Sequence, residues 1–367
     1  MSDRPIDIEE ERLSEEVPQR IIRHGGLLGA AESLGKELRA AGSPEEAADI
    51  VRGHGRALWR NAVRRLRETD GDDRPLYWSR LALRRTVAEV APELAGELER
   101  SSRGLGGNGL PAGEDRLRIV VTGFDPFRLE KDIRRGNPSG SAALALHGTT
   151  LRTSSGRTAH IEAMVLPVRW ADFSAGLVED ALRPYLEPGP RGADLFMTIS
   201  QGRPGRFDLE RFNGAWRGGG PDNTGEEATG LIPVSQEEQP QWTSTTLPYA
   251  ELTAAETGRF PVHDRTEVTE IPAGGGEPVE RAEGPSAGSA ARRGGGGDYL
   301  SNEIAYRATL LRDALEADVP GGHLHTPALE FGPENTDLIS DPVLVANRQA
   351  ITGQIRALLG AAAETLS

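Results

Sequence analysis

An α/β fold with a mostly parallel sheet follows from two contrasts along this 367-residue chain. From residue 118 onward, short apolar runs of strand length alternate with segments of helical period, the pattern of a parallel sheet carrying helices on both faces. Before that point only helical period is present, so the sheet-bearing part is preceded by a helical extension. A hydrophobic fraction of 37% supplies enough apolar surface for a real core.

In chain order, residues 1–24 read as a disordered acidic tail, because Glu, Asp and Arg dominate the first stretch. Residues 25–112 read as the helical extension with its linker. Ser43-Pro44-Glu45-Glu46 is a capping-box start with proline at the first helical position, and Val51, Ala57, Leu58, Val63 and Leu66 form the apolar stripe behind it. Leu81, Leu83, Val87, Val90 and Leu94 mark a second helix, which ends near Ser101-Ser102-Arg103-Gly104. Glycines from Gly104 to Gly113 then suggest a mobile linker.

The α/β part is expected over 113–367. Arg118–Thr122 is a short buried strand, Ser141–His147 a helix, His160–Val168 a strand, Ala171–Tyr185 a helix and Ala193–Ile199 a strand, with Val343–Leu366 a final helix. Between Pro261 and Gly297 the composition turns to Gly, Ala, Glu and Arg, which reads as a flexible surface insertion at about 261–297, a surface loop or an active-site lid.

The net charge of -14 argues against nucleic acid and against an anionic membrane, since the long-range field repels both. With no cysteine, disulfides and thiolate metal sites are excluded. The first residues lack an apolar signal region and no run is long enough to span a bilayer, so the cytoplasm is the expected location. No cofactor is called for.

Several segments carry candidate chemistry. Thr122-Gly123-Phe124-Asp125-Pro126-Phe127 follows a strand and so places two aromatics at the carboxyl edge of the sheet, where open α/β folds build their sites. Gln201-Gly202-Arg203-Pro204-Gly205 follows another strand, and Leu209-Glu210-Arg211 comes after it. Ser301, in Tyr299-Leu300-Ser301-Asn302, opens an apolar helix. There it is either an ordinary N-cap or a nucleophile next to free backbone N–H groups. His325 lies 24 positions further on, in His323-Leu324-His325-Thr326-Pro327. His323 and His325 share a strand face and could begin a metal site, but no third ligand is evident and none is assigned.

These blocks, with Asn137-Pro138-Ser139, Pro221-Asp222-Asn223 and Thr246-Leu247-Pro248, resemble those of pyroglutamyl peptidase type I, the pyrrolidone carboxyl peptidase family. That family removes an N-terminal pyroglutamate with a cysteine nucleophile, and the matching position here is Ser301. The resemblance spans Arg118 to about Gly360 and breaks at the insertion; the helical extension has no counterpart in it. It implies a three-layer α/β/α sandwich around a twisted, mostly parallel sheet, a homo-oligomer, and a peptide with N-terminal pyroglutamate as partner. It further implies Glu210, Ser301 and His325 as catalytic residues, with Phe124, Phe127 and, less securely, Gln201 contacting substrate. An arginine of the family that precedes Pro-Asp-Asn is replaced by Gly219. Serine, unlike a cysteine thiolate, must lose its proton during attack. The expected activity is therefore a pyroglutamyl-peptidase-like hydrolysis with a serine nucleophile. A catalytically silent relative that binds the same ligand, and a serine hydrolase of another amide or ester, are the alternatives.

Overall fold

The structure is a computed structural model that describes residues 7–69, 71–113, 116–235 and 239–366. Helices come first: α1 (Ile8–Glu11), α2 (Glu16–His24), α3 (Ala30–Ala40), α4 (Pro44–Glu68), α5 (Arg74–Val90) and α6 (Ala95–Ser101). The α/β part then runs β1 (Arg116–Phe124), α7 (Pro138–Leu146), β2 (Thr149–Arg152), β3 (Thr158–Leu166), α8 (Trp170–Ser174), α9 (Leu177–Leu186) and β4 (Leu195–Gln201). It continues through β5 (Phe207–Glu210), β6 (Phe212–Gly214), β7 (Trp216–Gly218), β8 (Thr229–Leu231), β9 (Trp242–Ser244) and α10 (Tyr249–Ala254). β10 (Val262–Arg265), β11 (Val268–Ile271), β12 (Val279–Arg281), β13 (Ala290–Arg293), α11 (Leu300–Ala314), β14 (Gly321–Thr326) and α12 (Pro342–Glu364) complete the chain.

Local chemistry sets the helix starts. Ser43 Oγ accepts the Glu46 N–H at 3.2 Å ahead of Pro44, and the Asp341 carboxylate accepts the Leu344 N–H at 2.9 Å ahead of Pro342. Asn137 does the same for α7 by accepting the Ser139 N–H. The single helix expected over Ala171–Tyr185 is broken into α8 and α9 by Gly176 at φ 86°.

Seven strands form the central sheet in the order β10-β5-β14-β4-β1-β3-β2. β3, β1, β4 and β14 are mutually parallel, β5 and β10 pair parallel with each other but run against β14, and β2 runs against β3. α7 and α12 join the helical extension in one apolar layer against the sheet, whereas α9 and α11 pack on the other face with Phe173, Phe196 and Tyr185. The architecture is mixed α/β with a mostly parallel central sheet and N-terminal helices. Gly123 lets the start of α7 approach β1, since a Cβ there would lie 2.3 Å from the Ser139 carbonyl oxygen.

Three expectations need revision. Of the acidic tail, residues 1–6 lie outside the described residues; from Asp7 the chain is packed, with Glu9 and Glu10 buried. Burial is possible because each carboxylate finds a partner. Arg84 reaches Asp7, Glu9 and Glu10, Arg169 lies 3.5 Å from Glu9, and the Tyr77 hydroxyl donates to Glu9.

The Gly104–Gly113 stretch is not a free tether either. Leu110 is buried in the second apolar layer, Tyr185 donates to the Gly107 carbonyl, and a Cβ on Gly104 would meet the Trp59 ring at 2.7 Å.

The 261–297 stretch, in turn, has regular structure. β10 extends the central sheet beside β5, and β12-β11-β13 make a small antiparallel sheet. Its buried Glu270 is held by Arg281 at 2.8 Å and the Ser286 N–H at 2.7 Å. Strands of three or four residues with so many charged side chains fall below what periodicity can detect.

Candidate active site

At the carboxyl ends of β1, β4 and β14 lies a cavity of about 1080 Å³. Phe124, Phe127, Gln201, Glu210, Ser301 and His325 all line it, so the six residues singled out in the sequence come together. β4 sits between β1 and β14, which sets Ser200 beside His325 across the parallel ladder and places the end of β1, with Phe124, on the other side.

The best-defined pair is Glu210 with His325. Glu210 Oε1 and His325 Nδ1 are 2.6 Å apart, with the carboxylate buried at the end of β5 and the imidazole on β14. The carboxylate therefore fixes the ring with Nδ1 protonated and leaves Nε2 for other work. Arg265, from β10 of the insertion, stands 3.7 Å from the second oxygen of Glu210.

Ser301 is in the first turn of α11. The N–H groups of Asn302 and Glu303 both reach the Tyr299 carbonyl, whereas Leu300 and Ser301 are too early in the helix for an intrahelical acceptor. First-turn N–H groups without an intrahelical acceptor are the kind of donor from which oxyanion holes are built. Ser301 does not donate to His325; its Oγ donates to the Gly296 carbonyl at 3.0 Å.

Gly296 belongs to the glycine run 294–297, which lies over the Glu210–His325 pair. A Cβ on Gly295 would be 2.4 Å from Glu210 Oε2, and one on Gly296 would be 3.4 Å from His325 Cε1 and 3.5 Å from the Asn302 nitrogen. The first approach admits no side chain, whereas the second is ordinary van der Waals contact. The run thus lies close both to the serine, through the Gly296 carbonyl, and to the Glu210–His325 pair.

The aromatic wall is anchored from outside the cavity. Phe124 stacks on Phe173 with ring centroids 6.0 Å apart, and Phe127 is half-buried under the Arg128 guanidinium. Between them, the buried Asp125 carboxylate accepts from Arg80 at 2.9 Å through both oxygens and from Arg103 at 2.6 Å. Both arginines belong to the N-terminal helical part, so that part supports the wall. Arg12 reaches the Asn223 carbonyl, and Asn223 donates to Pro126, fastening the Pro221-Asp222-Asn223 turn to the same loop. At Gly219 the cationic group of the resemblance is absent, and nearby Arg217 is committed to Glu303 at 2.5 and 2.6 Å.

His323, two residues before His325, is fully buried. Its Nδ1 lies 2.8 Å from Thr198 Oγ1 and its Nε2 2.8 Å from Ser200 Oγ, so neither nitrogen is free for a metal. Burial and then the neighbouring His325 push its pKa well below the usual histidine value. Among the described residues no cluster of three or more His, Cys, Asp or Glu side chains could hold a metal ion. Nor is any described helix long and apolar enough to cross a membrane. Ser200 and Thr198 were not singled out in the sequence, although their two-residue spacing puts both side chains on one face of the sheet, with Ser200 lining the cavity.

Comparison with known proteins fixes the family. A family described as PA0049 N-terminal domain matches residues 1–104, and one described as PA0049, C-terminal domain matches 118–231 and 261–330. The protein PA0049 of Pseudomonas aeruginosa, itself uncharacterised, is 32% identical over 93% of this chain and 83% of its own length. The chain belongs to the PA0049 family. Its fold is also similar to solved peptidases at low identity. A mutant pyrrolidone carboxyl peptidase from Pyrococcus furiosus has 18% identity and a TM-score of 0.46, covering 68% of this chain and 100% of that one. Pyroglutamyl peptidase I from Bacillus amyloliquefaciens has 22% identity and a TM-score of 0.44, covering 68% and 97%. In the PA0049 family the matched C-terminal segment 261–330 takes in the strands of the insertion, Ser301 and His325 alike.

Proposed function

We propose that this PA0049 protein is a pyroglutamyl-peptidase-like hydrolase in which Ser301 attacks the α-carbonyl of an N-terminal pyroglutamyl residue. The observation that carries this reading is the 2.6 Å pairing of Glu210 with His325 in a cavity that also receives Ser301 and two phenylalanines. His325 Nε2 takes the serine proton as general base and returns it to the leaving amine, while Glu210 holds the ring and stabilises the imidazolium. Phe124 and Phe127 offer flat apolar walls to an uncharged lactam ring, and the first-turn N–H groups of α11 receive the oxyanion. Before attack, Ser301 must exchange the Gly296 carbonyl for His325, a side-chain rotation together with a shift of the 294–297 run.

The Ser301–Gly296 bond also favours a second reading, a protein that binds the ligand without cleaving it. Release of a chromogenic amine from a pyroglutamyl conjugate separates the two. Turnover by wild type, lost in Ser301→Ala and in His325→Ala, supports the hydrolase. Binding without turnover supports the silent reading, and a Ser301→Cys variant that then gains activity would locate the deficit in the nucleophile.

A further inference from the structure

The floor of the cavity between the aromatic wall and His325 is Ser200, and its hydroxyl proton is already committed. Thr198 has a single hydroxyl proton, which lies against the Gly322 carbonyl at 3.2 Å. With that proton donated to Gly322, Thr198 Oγ1 is the acceptor at its 2.8 Å contact with His323 and Nδ1 carries the ring proton, the tautomer on which the inference rests. A neutral imidazole has only one such proton, and burial keeps His323 neutral. Nε2 is then a lone pair, and Ser200 Oγ, 2.8 Å away, must donate to it. What Ser200 has left to show the cavity is its own lone pairs.

We infer that Ser200 is a specificity-determining residue that selects ligands presenting an N–H to the cavity floor and rejects isosteres presenting an oxygen there. This rests on the lactam reading given above and deepens it. A five-membered lactam has the N–H that Ser200 Oγ can accept. The matching γ-lactone puts a ring oxygen at the same point, leaving two acceptors facing each other and the serine lone pairs buried without a donor. Thr198 and His323 act as positioning residues, because they decide which way the chain of protons runs.

The test measures binding by calorimetry of two probes, the N-methylamide of 5-oxoproline and the N-methylamide of its γ-lactone counterpart. The protein is the full chain carrying Ser301→Ala, so that neither probe is turned over. The lactam is expected to bind at least about tenfold more tightly. Adding Ser200→Ala should bring the two affinities within about threefold. Adding Thr198→Val removes the acceptor for Nδ1 and frees the ring to place its proton on Nε2, which turns Ser200 into a donor and moves the ratio toward the lactone. Nitrogen-15 NMR of His323 gives a readout independent of any ligand: Nε2 should resonate as an unprotonated nitrogen.

Equal affinities in the Ser301→Ala background, an unchanged ratio on adding Ser200→Ala, or a protonated Nε2 would overturn the inference. Failure to bind either probe would overturn it together with the pyroglutamyl reading. A clear lactam preference with no hydrolysis by wild type would sink only the hydrolase.

Discussion

Replacing Arg80 by methionine tests whether the helical extension supports the site. Met fills most of the volume but carries no donor, so Asp125 loses both 2.9 Å contacts and keeps only Arg103, and Ser102 loses its bonds to the Arg80 Nε and Nη2 atoms. Arg80 and Asp125 are both almost completely buried, so the cost is that of stranding a buried charge. Removing one partner from such a pair costs about 3–5 kcal/mol, and the retained Arg103 argues for the low end, about 3 kcal/mol. At roughly 2.1 cal/mol/K of unfolding entropy per residue, this 367-residue chain loses about 1.3 °C of Tm per kcal/mol, so thermal unfolding at neutral pH should show a fall of roughly 4 °C. Wild type and Arg80→Met would be compared by circular dichroism and by urea titration. Asp125→Asn and the double variant would complete a cycle, with a coupling above about 1 kcal/mol expected. A Tm within about 1 °C of wild type would place the pair among exposed ion pairs worth under about 1 kcal/mol, and the claim that these helices brace the aromatic wall would fail.

Other outcomes follow from the same geometry. Burial, then the charge of Asp72, pushes Asp73 up to about 6 from an ordinary value near 3.8. The folded state therefore holds a proton that the unfolded state releases across that window, so this carboxyl lowers stability as pH rises from about 4 to 6. Asp73→Asn can still accept from the Asn137 N–H and can donate to Ser141, so urea titrations should show a flatter pH profile there and a gain of roughly 1–3 kcal/mol at pH 7.5. In limited proteolysis Gly104–Gly113 should resist as the core does, with first cuts near the exposed Gly274–Gly276 turn; early cleavage at 104–113 would contradict its packing. Gly295→Ala should drive a methyl against Glu210 and abolish labelling of Ser301 by a fluorophosphonate, as followed by mass spectrometry, while circular dichroism stays native. Ser43→Ala should cost about 1 kcal/mol in urea titration through loss of the α4 cap.

What the sequence showed and what it hid divide along physical lines. The core strands β1 and β4, and the second half of β3, are buried on both faces and leave apolar runs in the sequence, and the proline-led starts of α4 and α12 follow from capping chemistry. The spacing of Ser301 and His325 was informative because α11 and β14 follow each other directly on the same sheet. Charge misled where it was buried. Glu9, Glu10, Arg80, Arg84 and Arg103 look like solvated surface in one dimension, and only the fold shows that they neutralise one another. The contact of Ser301 with Gly296 was equally hidden, since a glycine run has no side chain from which a position could be argued.

The ion pairs that join the helical part to the rest cross the boundary at residue 104, where the first family match ends. Arg80 and Arg103 on the near side meet Asp125 on the far side, while Glu9 and Glu99 meet Arg169. During synthesis from the amino end, the first hundred residues emerge with Arg80 lacking its carboxylate partner and with Glu9, Glu99 and Arg103 each short of one of the ion pairs they make in the full fold, and desolvating them at that stage is less favourable. Their final packing waits until the chain has been made past Arg169, so the two matched segments become one cooperative unit in which neither half matures by itself.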